Sequence, residues 1–208
     1  MGNIIVTIAR QYGSGGKTIG GMLAKQMGVN CYDRELMRMA SDESGIAEGM
    51  FGQADERLKK SPIFRITKNI YKGQLIPPES DEFTSNDNLF NYQAKVIRQL
   101  AEEESCVIIG RCADYVLSDN EFAVRVFIHA NKDYCLKRAK ERLGYDSEKD
   151  VQKFIDKTDK YRADYYNYYT GHEWSDARNY DLCLDSSKLG DEGCVNEILS
   201  YIRNRFHQ

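Results

Sequence analysis

Apolar positions change period along this chain, and each change marks an element. Asn3 to Ala9 is a near-continuous apolar, β-rich run, the pattern of a strand buried on both faces. It breaks at Gln11–Thr18, after which Ile19, Met22, Leu23 and Met27 recur at helical spacing. Val29–Asp33 reads as a short second strand, followed by a helix over Arg34–Ala40. Phe90, Ala94, Ile97 and Leu100 form the inward face of a helix over Leu89–Glu103. Ser105–Arg111 and Val124–Ala130 are two more strands, and Asn131 caps a helix over Asp133–Leu143. Glu148–Tyr169 reads as one long helix with Val151, Phe154, Ile155, Thr158, Tyr165 and Tyr169 near one stripe. Tyr180–Asp185 is a fifth strand, and Glu192–Phe206 a last helix. Strands alternating with helices predict an α/β fold, a three-layer sandwich with a five-stranded parallel sheet covered on both faces.

The alternation lapses between Ser41 and about Asn88, where scattered glycines, Pro62, Pro77, Pro78 and a polar run from Glu79 break any long pattern. Short helices are predicted at Ala54–Lys60 and Ile63–Tyr71, with Pro77–Asn88 a loop. Insertions of this length in a compact domain are either functional lids or disordered segments, and the sequence leaves both open. The chain is therefore expected to be one domain. Its core would be 1–40 and 89–208, with an inserted segment over about 41–88 that covers the site and a lid over about 144–172.

A formal charge of −3 over 208 residues gives no basic field that would draw nucleic acid or lipid, so neither is expected as a partner. No signal peptide precedes the first strand and no apolar run reaches membrane-spanning length, and Val6 stands where a myristoylation signal wants Ser or Thr. A cytoplasmic location is the expectation. The six cysteines include no C-x-x-C pair, which argues for reduced, mostly buried thiols rather than a zinc site or disulfides. His129 sits within a strand pattern, and neither it nor His172 or His207 has a ligand-spaced partner. No metal is expected on protein side chains alone.

The chemistry concentrates after the first strand. In Gly13-Ser14-Gly15-Gly16-Lys17-Thr18 the glycines let backbone approach an anion, Lys17 adds charge, and Thr18 offers a hydroxyl to Mg²⁺. The end matches the P-loop pattern G-x-x-x-x-G-K-[ST], but Gln11 stands where its first glycine belongs. Asp33 falls at the carboxyl edge of the second strand. It is read either as a holder of magnesium-bound water or a substrate hydroxyl, or as the cap of the next helix. Arg34 and Arg38 share one face of that helix. Gly110-Arg111 lies at another carboxyl edge, facing the same crevice, with a guanidinium suited to a phosphate. Lys153, Lys157, Lys160 and Arg162 are mixed with Asp156, Asp159 and Asp164, the composition of a solvated face or of a lid whose cations close over phosphates. The five tyrosines between Tyr161 and Tyr169 read as packing rather than base stacking.

Together, Arg10–Gly16, Tyr32–Leu36, Ile108–Arg111, Tyr180–Leu182 and Asp185–Ser187 make the chain resemble the P-loop nucleoside-monophosphate kinases, most of all the cytidylate kinase-like branch. The similarity spans nearly the whole length. It implies ATP and Mg²⁺ as cofactors and phosphoryl transfer to a nucleoside monophosphate, CMP or dCMP first. By position, Gly13, Ser14, Gly15, Gly16, Lys17 and Thr18 would hold the donor phosphates, and Arg111 the acceptor phosphate or the phosphoryl in flight. Asp33, Arg34 and Arg38 would lie near the acceptor. Arg138, Lys157, Lys160 and Arg162 would belong to the lid, with Lys17, Arg111 and Arg162 the catalytic cations. Asp185, Ser186 and Ser187 would flank the base. Another small phosphorylatable acceptor, or nucleotide binding without transfer, are the alternatives.

Two departures accompany the resemblance. Ungapped alignment puts Gly16 where the phosphate-binding lysine belongs and Lys17 one residue later, a rotation of about 100° at a helix start. Cys112 follows Arg111 where ordinary cytidylate kinases carry Asp, and Cys106–Ile109 ends without an acid to serve magnesium.

Overall fold

The computed structural model describes residues 2–53, 71–145 and 147–207. In chain order the elements are β1 (Ile5–Arg10), α1 (Gly16–Met27), β2 (Asn30–Tyr32), α2 (Glu35–Ser44), α3 (Asn86–Glu103) and β3 (Cys106–Ile109). A short α4 (Ala113–Val116), β4 (Ala123–His129), α5 (Lys132–Leu143), α6 (Glu148–Thr170), β5 (Leu182–Asp185) and α7 (Ser186–Phe206) follow.

All strand pairs are parallel, in the order β2-β3-β1-β4-β5. The run read as a doubly buried strand is central. Val6 and Ile8 of β1 pack with Ile19 and Leu23 of α1 and with Val195 and Ile198 of α7. Ile5 and Ala9 point to the opposite layer, against Leu36 of α2, Phe90 and Ile97 of α3 and Tyr165 of α6. Alternate side chains of one strand thus enter two separate cores, which is why its sequence shows no polar face. The predicted five-stranded, three-layer α/β fold is the observed one.

Helix ends differ from the apolar pattern because capping side chains set them. Ser85 accepts from the N–H of Asn88, so α3 begins at Asn86 and the last residues of the predicted Pro77–Asn88 loop are helical. Asp185 caps α7 by accepting from the N–H of Ser187; this helix starts at Ser186, well before Glu192, and kinks at Gly190 (φ 69°, ψ 173°). Arg34, not Asp33, is the N-cap residue of α2, which closes the capping alternative for Asp33. The predicted helix Ala54–Lys60, and all of Ile63–Tyr71 except Tyr71, lie outside the described residues. Tyr71 is not helical, and its N–H donates to the carbonyl of Tyr169.

Tyr165 and Tyr169 of α6 are packing residues, as read. Tyr169 stacks on Phe90 with ring centroids 3.9 Å apart, and Tyr165 meets both rings edge-on. The six cysteines are free thiols; Cys31 is half-buried and Cys183 exposed, and the rest are buried. No helix among the described residues is long and apolar enough to cross a membrane.

Residues 71–85 run over this aromatic layer, and one buried side chain pins them. Asn88 is 0% exposed; its Oδ1 accepts from the N–H of Ile76 at 2.8 Å, and its Nδ2 donates to the carbonyls of Phe83 (2.7 Å) and Ile76 (3.1 Å). Replacing it with alanine strands three polar groups at once. Asn88→Ala is expected to lower unfolding free energy in urea by about 2–4 kcal/mol. A loss under about 1 kcal/mol would show that other contacts hold the segment.

Candidate active site

Register places the site. Ile8 pairs with Ile109 and Arg10 with Ile128, so the loops after β1 and β3 leave the sheet side by side at its carboxyl edge. Between them and the helices α5 and α6 lies a crevice of about 1090 Å³. Pockets for a single drug-sized ligand run to roughly 300–1,000 Å³, so a crevice at the top of that range has room for two small ligands or one long one.

The loop after β1 is shaped by what its glycines lack. Gly13 (φ 83°) and Gly15 (φ 85°) hold left-handed conformations that other residues rarely adopt. A Cβ at Gly13 would lie 2.5 Å from the carbonyl oxygen of Cys135, and one at Gly15 would lie 2.7 Å from Asp191 Oδ1 and 2.8 Å from Arg138 Nη1. Helices α5 and α7 therefore close directly onto the loop backbone. Ser14 is fully buried, with its hydroxyl donating to the carbonyl of Gln11 at 2.9 Å. Ser186 in turn donates to the carbonyl of Ser14 at 2.6 Å. Gly15 caps α1 without a side chain, so the positive end of that helix opens toward the crevice.

Around this loop stands a cluster of cations. Lys17 reaches Asp33, with Nζ 2.7 Å from Oδ2, and its side chain is 56% exposed. Arg10 Nη2 lies 3.9 Å from the other oxygen of Asp33. Burial opposes ionisation of Asp33, but the Lys17 hydrogen bond and the charges of Arg10 and Arg111 hold its pKa below the ordinary value. Arg111 sits within three consecutive left-handed residues, Gly110 (φ 74°), Arg111 (φ 61°) and Cys112 (φ 54°), and its Nη2 is 3.4 Å from the sulfur of Met37. Two of those three carry side chains, a conformation that costs energy and recurs at functional sites.

Helix α6 docks onto the loop through one carboxylate. Asp159 accepts from the N–H of Tyr12 at 2.8 Å and from Arg162 at 3.0 Å. Arg162 also donates to the carbonyl of Arg10 at 2.9 Å, and its guanidinium stands 5.7 Å from the centre of the Tyr12 ring. Burial lowers its pKa, against the pull of Asp159. Arg138 of α5 is forked onto Asp191 at 2.6 and 2.9 Å, and that hydrogen-bonded pairing keeps its pKa above the usual value.

Of the residues singled out in the sequence, Gly13, Gly15, Gly16, Lys17, Thr18, Asp33, Arg34 and Arg111 line the crevice. So do Arg138, Lys157, Lys160 and Arg162. Ser14 lies beneath it. Arg38 points away, pairing at 3.8 Å with Asp42 on the exposed side of α2. Asp185, Ser186 and Ser187 are not in the lining; they fasten the start of α7, with Asp185 accepting from Ser187 and Ser187 accepting from the N–H of Asn131. Among the described residues no group of three His, Cys, Asp or Glu is placed to hold a metal ion.

Sequence reasoning passed over Arg10, Asp159 and Asp114. The signal for Arg10 was a cation ending a buried strand just before the glycines. Asp159 was one of several acids on a mixed-charge helix. Asp114 needed the tertiary structure: Tyr166 of α6 donates to its carboxylate at 2.6 Å, joining the turn after Arg111 to that helix.

Burial raises the pKa of Asp114 to about 6, against the Tyr166 and backbone hydrogen bonds that favour its charge. A carboxyl whose pKa is higher folded than unfolded contributes stability that is present below pH ~4 and lost as pH rises through ~6. Asp114→Asn cannot ionise. Its melting temperature relative to wild type is therefore expected to climb between pH 4 and pH 7, a relative gain of about 2–3 kcal/mol. A difference that does not change with pH would place the charged form of Asp114 in a well-solvated setting.

The cytidylate kinase-like family model matches residues 5–188 of this chain. An uncharacterized protein from Eubacterium ventriosum ATCC 27560 is similar in structure, with 30% identity, a TM-score of 0.70, and coverage of 96% of this chain and 98% of that one. Shikimate kinase from Bacteroides thetaiotaomicron shares 14% identity with a TM-score of 0.53 over 99% of both chains, a similarity of fold. No curated protein matches the chain.

Proposed function

The chain belongs to the cytidylate kinase-like family of P-loop kinases, and on that premise we propose that it transfers the γ-phosphoryl group of ATP to a nucleoside monophosphate, with CMP and dCMP the first acceptors to try. One observation carries the reading. The glycine loop, Arg111 and the cations of α6 line a single crevice of about 1090 Å³, large enough for a donor and an acceptor together.

Gly13–Thr18 and the end of α1 would hold the donor's phosphates. Arg111 would meet the acceptor phosphate, an oxygen of which attacks the γ-phosphorus while the bond to the β,γ-bridging oxygen breaks and ADP departs. Charge spreads over the moving phosphoryl group, and Arg111, Arg162, Lys157 and Lys160, which line the crevice, would offset it without forming any covalent bond. Thr18 and, through water, Asp33 would hold magnesium, which when bound withdraws charge from the β- and γ-phosphates. The residues suit that ion: Asp33 is kept ionised at the crevice, and Mg²⁺ asks few protein ligands when phosphates supply the rest. In the same reading, residues 41–88 select the acceptor and 144–172 act as the lid. Tyr161 and Trp174, also in the lining, offer flat apolar area to a base.

The pairing of Lys17 with Asp33 favours a second reading, a nucleotide-binding protein that does not transfer. ADP production from ATP and Mg²⁺, followed with CMP, dCMP, UMP, AMP and GMP, separates the two. Stimulation by CMP or dCMP is expected. ATP binding by calorimetry with no turnover on any acceptor would overturn the kinase reading. Arg111→Ala is expected to lower turnover at least tenfold with an unchanged melting temperature, and wild-type turnover in that variant would remove Arg111 from the transfer step.

A further inference from the structure

We propose that Arg10, not Lys17, is the cation that grips the terminal phosphates of the bound nucleotide, so that the end of β1 supplies the charge a P-loop ordinarily draws from its own lysine. This rests on the reading of the crevice as an ATP site.

The first observation is steric. A Cβ at Gly16 would lie 2.5 Å from Arg10 Cβ and 2.8 Å from its Cγ. Those are contacts that side chains do not make, so the space a residue at 16 would enter is already filled by the arginine's stem. The second is at the other end of the same side chain. A Cβ at Gly110 would meet Arg10 Nη1 at 2.1 Å and Cζ at 3.2 Å. The guanidinium therefore reaches Gly110 with Nη1 foremost, between the loop after β1 and the loop that carries Arg111. Two glycines make a channel, and Arg10 threads it.

The third observation is electrostatic. Arg10, Arg111, Arg162 and Lys17 converge on two carboxylates, Asp33 and Asp159. The site holds an excess of positive charge of the sign a magnesium-bound triphosphate would cancel. Arg10 feels that excess. Burial, then Arg162, then Arg111 oppose its charge, only partly offset by Asp33 and Asp159, and its pKa falls to about 9. A phosphate would relieve that repulsion. Lys17 is placed differently: it spans to Asp33, and more than half of its side chain faces solvent. A guanidinium also suits the task, because its fork engages two phosphate oxygens at once.

The test is calorimetric and needs no turnover. Affinities for ATP and AMP, each with Mg²⁺, are compared in wild type, Arg10→Met, Arg10→Lys and Lys17→Met. Methionine keeps an unbranched stem against Gly16 and removes the charge. Loss of packing alone would weaken both nucleotides together, whereas loss of a phosphate contact reduces the preference for ATP over AMP. Arg10→Met is expected to cut that preference at least tenfold, Arg10→Lys to recover part of it, and Lys17→Met to cost a smaller factor. An unchanged preference in Arg10→Met, or a larger loss in Lys17→Met, overturns the assignment. Arg10→Gln carries the same test should the methionine variant fail to fold. Failure of the kinase reading looks different: a wild type with Arg10-dependent preference for ATP that phosphorylates no monophosphate sinks the transfer and leaves Arg10 in place. An active enzyme whose ATP preference ignores Arg10 does the reverse.

Discussion

The glycine loop after β1 is sealed on one side, where Ser14 is fully buried, and opens to the crevice on the other. Buried backbone carbonyls need donors. The chain answers with two serines in series. Ser186 donates to the carbonyl of Ser14, and Ser14 donates to that of Gln11. From the opposite side, Asp159 takes the N–H of Tyr12. The loop is thus tied to α7 and to α6, elements more than a hundred residues away in sequence. Everything else at the site, from the position of Arg162 to the closeness of α5, follows from that fastening.

The same ties explain what could be read in advance. The central strands were legible because a doubly covered parallel sheet leaves apolar runs with no polar face, and three such runs, β1, β3 and β4, stand between helical patterns. The edge strands β2 and β5 were marked by short β-rich stretches. The glycine loop was legible because Gly13, Gly15 and Gly16 leave few alternatives to close backbone approach. Helix starts were less so. Apolar spacing marks where a helix packs, whereas Ser85 and Asp185 decide where it begins, and each cap lies outside the packed stretch.

Asp33 shows where local reading stops. As a residue before a helix it had two ordinary roles; Arg34 takes the N-cap position, and Asp33 instead faces Lys17 and Arg10. Ser186 and Ser187 were placed beside a base by position in the resemblance; their hydroxyls are engaged with Ser14 and Asn131. Arg10 was legible as a letter but not as a participant. Its meaning depends on Gly16 and Gly110 having no side chains, and Gly110 is a hundred residues distant. Asp114 is a similar case, since Tyr166 reaches it only once α6 has packed.

The contact between Arg10 and Gly16 also limits how this loop can change over evolutionary time. A side chain gained at 16 meets the stem of Arg10 at 2.5 Å. Giving up Arg10 first opens a gap beside a glycine and removes a cation from the crevice. Neither residue can be exchanged alone without passing through a worse loop, so the two positions form a coupled pair whose effects will not add. A change at either position therefore alters what the other can tolerate, so the stem of Arg10 belongs to the loop as much as its glycines do.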